Sequence, residues 1–87
     1  MPRYVIERDL PAGFPGDVEA VQRLVERNVD VDVTWLHSYV SEDGRRAFCV
    51  YEGRSPEALR RASALNGLPV ARITQVRVLD PYQQREV

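Results

Sequence analysis

Near the middle of the chain, Ser41-Glu42-Asp43-Gly44-Arg45 separates two segments of alternating character, Asp32 to Ser41 and Arg46 to Gly53. Asp-Gly supplies the positive-φ residues that tight hairpin turns demand, and a period of two marks strands with distinct faces. A β-hairpin is therefore expected at the centre. Whatever lies on either side must pack around it.

Each flank reads as one strand and one helix. Arg3 to Arg8, rich in β-branched and aromatic residues, reads as a strand, and Leu10 to Gly16 is a loop because two prolines and two glycines forbid a regular element. Asp17 is suited to N-cap a helix running to about Val29, with Val18, Val21, Leu24, Val25 and Asn28 on one stripe. The Val-Asp alternation beginning at Val29 ends it. Beyond the hairpin, Ser55 is an N-cap, Pro56 occupies the first helical position and Glu57 complements the dipole. Asn66-Gly67 offers a left-handed exit and Pro69 prevents continuation. Ala71 to Asp80 alternates closely enough to be a fourth strand, and the polar tail from Pro81 has no assigned element.

The order β-α-β-β-α-β in a single domain over residues 1–87 predicts an α+β, ferredoxin-like sandwich. In that fold a four-stranded antiparallel sheet carries both helices on one face. The other face is left bare, so bulky apolar groups there would require a partner or a ligand.

Composition narrows the function classes. Twelve basic residues against thirteen acidic ones give a net charge of -1, which leaves no electrostatic footprint for nucleic acid. No apolar run approaches the roughly 20 residues needed to span a bilayer, so no membrane role is expected. The single cysteine cannot form an intrachain disulfide, in keeping with a cytoplasmic setting. All the basic residues are arginine, a coding bias typical of GC-rich genomes such as those of actinobacteria.

The scarce reactive side chains lie on the hairpin. Val33 to Val40 holds the one histidine and the one tryptophan, and Phe48 to Glu52 holds the one cysteine. Regular alternation puts Trp35, His37 and Tyr39 on one face of the first hairpin strand. Which residues of the second strand join them depends on the turn. A two- or four-residue loop brings Val50 and Glu52 beside His37, whereas a three-residue loop with a bulge brings Cys49 and Tyr51. His37, Cys49 and Glu52 are the candidate metal ligands, since imidazole, thiolate and carboxylate together suit nickel and other divalent transition metals. Trp35, Tyr39 and Tyr51 are the candidate lining of a pocket for a small organic molecule. Against both stands the packing role that a lone strand histidine, a lone cysteine and sheet aromatics commonly have. No phosphate loop, oxyanion-hole loop or third group orienting a Cys49–His37 pair is visible, so a non-enzymatic protein is expected.

The segments "MPRYVIER", "WLHSYV" and "FCVYE", with Gly67-Leu68-Pro69 before Ala71-Arg72-Ile73, resemble a small bacterial family frequent in actinobacteria. That family is often described only as a domain of unknown function, and it includes a nickel-responsive, nickel-binding protein. The resemblance spans nearly the whole chain. It implies a homodimer of ferredoxin-like subunits with facing sheets, and nickel held by histidine, cysteine and acidic side chains. The matching positions are His37, Tyr39, Cys49, Tyr51 and Glu52. Members often carry a further histidine on the second helix at about the position of Ala62, so the resemblance implies a nickel shell lacking one imidazole here. The alternatives are a metal-free dimeric module binding a small organic molecule or partner protein, and a small dimeric-barrel enzyme.

Overall fold

A computed structural model describes residues 1–13, 18–30, 32–83 and 85–86, with side chains left undescribed at 18, 27–30, 85 and 86. The elements in chain order are β1 (Arg3–Asp9), α1 (Val18–Asp30), β2 (Thr34–Val40), β3 (Arg46–Glu52), α2 (Pro56–Leu65), β4 (Arg72–Val76), β5 (Leu79–Asp80) and β6 (Arg85–Glu86). The first four strands form one sheet in the order β2-β3-β1-β4, with every neighbouring pair antiparallel. β3 thus lies between β1 and β2, and β1 between β3 and β4, the interleaving expected of a split βαβ pair. The proposed N-cap Asp17 lies outside the described residues.

Four residues, Glu42 to Arg45, close the hairpin between β2 and β3. The Ser41 N–H donates to the Arg46 carbonyl at 2.9 Å, and Gly44, at φ 72°, donates to the Ser41 carbonyl at 2.8 Å. Asp43 is held from two sides, by the Arg45 N–H at 3.0 Å and the Ser41 hydroxyl at 2.8 Å. These bonds, the Arg45 one foremost, keep its carboxyl below the ordinary aspartate range. The even loop resolves the parity left open above: His37 lies opposite Val50, and Cys49 lies opposite Ser38.

α2 begins and ends as its residues dictate. The Ser55 hydroxyl accepts from the Ala58 N–H at 3.3 Å, and Pro56 sits in the first turn. At the other end Leu68 N–H donates to Ser63 and Gly67 N–H to Ala64, with Gly67 left-handed at φ 66°. This doubly bonded exit is a Schellman motif, and it turns the chain toward β4. α2 buries Ala58, Leu59 and Ala62 against Tyr4, Ile6, Cys49 and Tyr51 of the sheet, while Trp35, Leu68, Val70 and Ile73 pack at the margins. On α1, Leu24 is buried but Val25 is 47% exposed, so the apolar stripe is only partly covered.

The strand expected over Ala71 to Asp80 is shorter, and its end pairs elsewhere. β4 stops at Val76, opposite Arg3, and Leu79–Asp80 pairs instead with Arg85–Glu86 in a separate two-stranded ribbon. The reason lies in the partner strand. β4 is an edge strand whose one neighbour in the sheet is β1, and β1 begins at Arg3, so past Val76 it has no strand beside it.

One core residue is charged. Arg8 follows Tyr4 and Ile6 along β1 onto the helix-covered face and is 1% exposed. Its guanidinium donates to the Pro69 carbonyl at 2.9 Å and to the Tyr51 and Ser63 hydroxyls at 3.2 Å each. The Tyr51 ring lies 5.9 Å from its central carbon, within cation–π range. No carboxylate among the described residues pairs with it, and its Nε has no acceptor. The last turn of α2 carries no basic side chain of its own, so Arg8 supplies the positive charge that a helix C-terminus favours.

Burial raises the Tyr51 phenol above its ordinary value of 10.0, with Arg8 opposing the shift. The unfolded chain therefore loses this proton first as pH rises. The stability tied to the neutral phenol is complete below about pH 10 and is lost as pH climbs through the higher folded value. Tyr51→Phe removes one of Arg8's acceptors and lowers stability by roughly 1–3 kcal/mol at neutral pH. The same variant flattens the alkaline decline, which urea unfolding at pH 7 and above pH 10 measures.

Candidate functional site

Register assigns every hairpin residue to a face, because directly opposed residues of an antiparallel pair share a side. The helix-covered face holds Tyr4, Ile6 and Arg8 of β1 opposite Tyr51, Cys49 and Ala47 of β3. The open face holds Arg3, Val5, Glu7 and Asp9 opposite Glu52, Val50, Phe48 and Arg46. From β4 it receives Val76, Thr74 and Arg72.

β2 does not keep one phase throughout. Trp35 lies opposite Tyr51 and His37 opposite Val50, so the register shifts between them and Leu36 is the extra residue of a bulge. Trp35 therefore faces the helices, while His37 and Tyr39 face the open side. The expectation that all three share a face is corrected by this bulge. The bulge also brings Trp35 into phase with Ser38, whose hydroxyl accepts from the indole N–H at 2.9 Å.

The scarce residues accordingly divide across the sheet. Cys49 is 1% exposed and packed in the core, and Tyr51 lies beside Arg8 in the same interior. Glu52 is on the open face with His37 but is ion-paired to Arg3 at 3.0 Å. Among the described residues, no three histidine, cysteine or acidic side chains converge to hold a metal. The expected triad His37, Cys49 and Glu52 is not assembled within one chain. Of the expected pocket aromatics, only Tyr39 accompanies His37, its ring edge-on to the imidazole with centroids 5.2 Å apart.

The open face carries a groove of about 530 Å³ beside His37. Val5, Val50, Val76 and Val78 supply its apolar lining, and Arg3, His37, Tyr39 and Arg77 supply the polar groups. Val50 is buried although it lies on this uncovered face, whereas Tyr39 is 65% exposed. Ion pairs lie beyond the groove: Arg46 reaches Glu7 at 3.8 Å and Asp9 at 3.5 Å, and Arg72 reaches Glu7 at 4.0 Å. Such exposed pairs contribute little to stability, and their main effect is to make the rim of the face polar.

Strand order, antiparallel pairing and the helix-covered side together define a ferredoxin-like α+β protein with an open sheet face. The chain belongs to the family described as nickel responsive protein SCO4226-like, whose model matches residues 4–76. It is also similar to the crystal structure of SCO4226 from Streptomyces coelicolor A3(2), with a TM-score of 0.64 and 15% identity over 85% of this chain and 94% of that one. At that identity the likeness establishes the fold. No curated protein matches the chain. No helix among the described residues is long and apolar enough to cross a membrane.

Arg8 and the groove residues Arg77 and Val78 were not singled out from the sequence. For Arg8 a signal existed, since it falls in the same strand phase as Tyr4 and Ile6. For Arg77 and Val78 none did, because they follow the point where β4 leaves the sheet. The thiol of Cys49 provides a direct check of the face assignment. The native chain is expected to resist a thiol reagent such as dithionitrobenzoate for as long as it stays folded, and to react fully once unfolded in guanidinium. Rapid reaction of the native protein contradicts the placement.

Proposed function

We propose that the chain is a non-enzymatic, nickel-responsive binding module that presents His37 as its metal-contacting side chain. The supporting observation is the position of His37, exposed on the open sheet face beside a groove, in a chain whose family is described as nickel-responsive. Imidazole and carboxylate suit nickel, but the described carboxylates of this face are ion-paired, Glu52 to Arg3 beside the groove and Glu7 and Asp9 to Arg46 beyond it. A single chain does not fit a closed nickel shell. We therefore propose that two copies associate through their open faces and pool His37 and Glu52 across a twofold axis. Homo-oligomers most often adopt that symmetry, and the apolar strip of Val5, Val50 and Val76 suits such burial. Cys49 has no part in this site, because the sheet lies between it and His37.

Calorimetric titration of the tag-free protein with Ni²⁺, alongside sedimentation analysis, tests the proposal. The expected result is saturable uptake of one ion per two chains by a sedimenting dimer. His37→Ala abolishes uptake while changing stability by no more than about 0.5 kcal/mol, as is usual for an exposed position. Cys49→Ala leaves uptake unchanged provided the variant folds, which its circular dichroism reports. Absence of nickel heat, or uptake that survives His37→Ala, overturns the reading.

A further inference from the structure

The chain continues past β4 into a feature that the main sheet does not use. Beyond Val76, Arg77 and Val78 wall the end of the groove, and β5 follows at once. Among the described residues β5 pairs only with β6, in the small separate ribbon. A two-stranded ribbon with no surface to lie on is marginally stable at best in water. This one also presents large apolar groups, since Leu79 is 73% exposed and Tyr82 is 95% exposed. The turn carrying Tyr82 is nevertheless set. The Asp80 carboxylate accepts from the Tyr82 N–H at 2.9 Å and from the Gln83 N–H at 3.3 Å. That Asx turn fixes the backbone from which the phenol projects. An aromatic held out in water on a preset turn has the character of an interface anchor, because little ordering remains to be done on contact.

We infer that residues 79–82 form an arm that clasps a second copy of the chain beside the open sheet face. The inference rests on the face-to-face association proposed above and adds the contact that the sheets alone do not supply. A stable interface takes about 800 Å² of accessible surface from each partner. Strands of seven residues or fewer, four abreast, give a face of roughly 450 Å² in projection. Part of that face is ion-paired rim, so the apolar share is smaller still. What makes up the difference must lie next to the face. The arm does, because it starts from the groove wall at the β4 edge. It therefore meets a facing copy beside the strip of Val5, Val50 and Val76, which stays free to meet the other sheet. Twofold symmetry makes the clasp reciprocal, with each arm on the other copy. Residues 79–82 lie beyond 4–76, the part matched by the family model, so the family match does not carry the arm.

Sedimentation equilibrium of the full chain, with and without Ni²⁺, tests the inference on the wild type and on the Leu79→Ser/Tyr82→Ser double variant. The wild type is expected to be a dimer. The double variant is expected to dissociate at least about tenfold more readily, the least that two lost anchors imply. Both side chains meet mostly solvent in the single chain. Unchanged circular dichroism and an unchanged thermal midpoint at monomeric concentration therefore report that the variant is folded. Isotope-filtered NMR on a wild-type mixture of ¹³C-labelled and unlabelled copies reads the contact directly, with the Tyr82 ring expected against the other copy. A wild type that is monomeric with and without Ni²⁺ overturns the face-to-face association and the arm together. A dimer that holds equally well in the folded double variant, or filtered contacts that omit Tyr82, overturns the arm alone and leaves the association standing.

Discussion

The interior is organised around a cation. Placing a guanidinium in a dry core costs several kcal/mol unless its donors are met, and Arg8 meets that cost through Nη1 and Nη2, which reach three separate parts of the chain, while its Nε has no acceptor among the described residues. Its base is on β1, a central strand. Its acceptors are a phenol on β3, a hydroxyl on the last turn of α2 and a carbonyl in the connection to β4. None of these acceptors is charged, so the guanidinium is stabilised by oxygen dipoles, by the Tyr51 ring and by the negative end of a helix. Geometry matters more in such an arrangement than in an ion pair, because each dipole must point the right way. The Schellman exit of α2 and the Pro69 carbonyl just beyond it are therefore part of the same polar core as the sheet.

With the core gathered on the helix-covered side, the opposite face of the sheet is free to do something else. Its ends carry ion pairs, Arg3 with Glu52 at one side and Glu7, Asp9, Arg46 and Arg72 at the other. Between them lies an apolar strip bordered by His37 and Tyr39. The bulge at Leu36 makes this division possible on β2, an edge strand. It lets the first half of the strand anchor Trp35 inward and the second half turn His37 outward. Bulges on edge strands also discourage pairing with other strands, so the same irregularity serves solubility and site geometry.

Much of the fold was legible in the residues, for local reasons. Asp43-Gly44, Ser55-Pro56 and Asn66-Gly67 act within a few positions of themselves, and each produces the turn, start or stop expected of it. The order of elements, and with it the ferredoxin-like class, follows from those punctuation marks. What was not legible depended on distant partners or on counting. Leu36 is apolar and fits either face, so nothing local announced the extra residue that separates Trp35 from His37. The end of β4 was set by the start of β1 at Arg3, more than seventy positions earlier in the chain. The face that each candidate residue takes was legible only in part: His37, Tyr39 and Glu52 lie on the open face, while Cys49, Tyr51 and Trp35 lie on the helix-covered one.

The bulge has a consequence for how such a chain can change over generations. Because β2 switches phase at Leu36, residues after it that face outward carry almost none of the packing. A substitution at His37 or Tyr39 touches solvent, a neighbouring ring and the groove, but not the helices. Ligand preference can therefore drift almost independently of foldability, and a lost or gained donor on that half-strand lies a single codon away. Before the bulge, at Trp35, the same freedom does not exist. One strand thus contains a conservative half and an exploratory half, and the boundary between them is a single leucine.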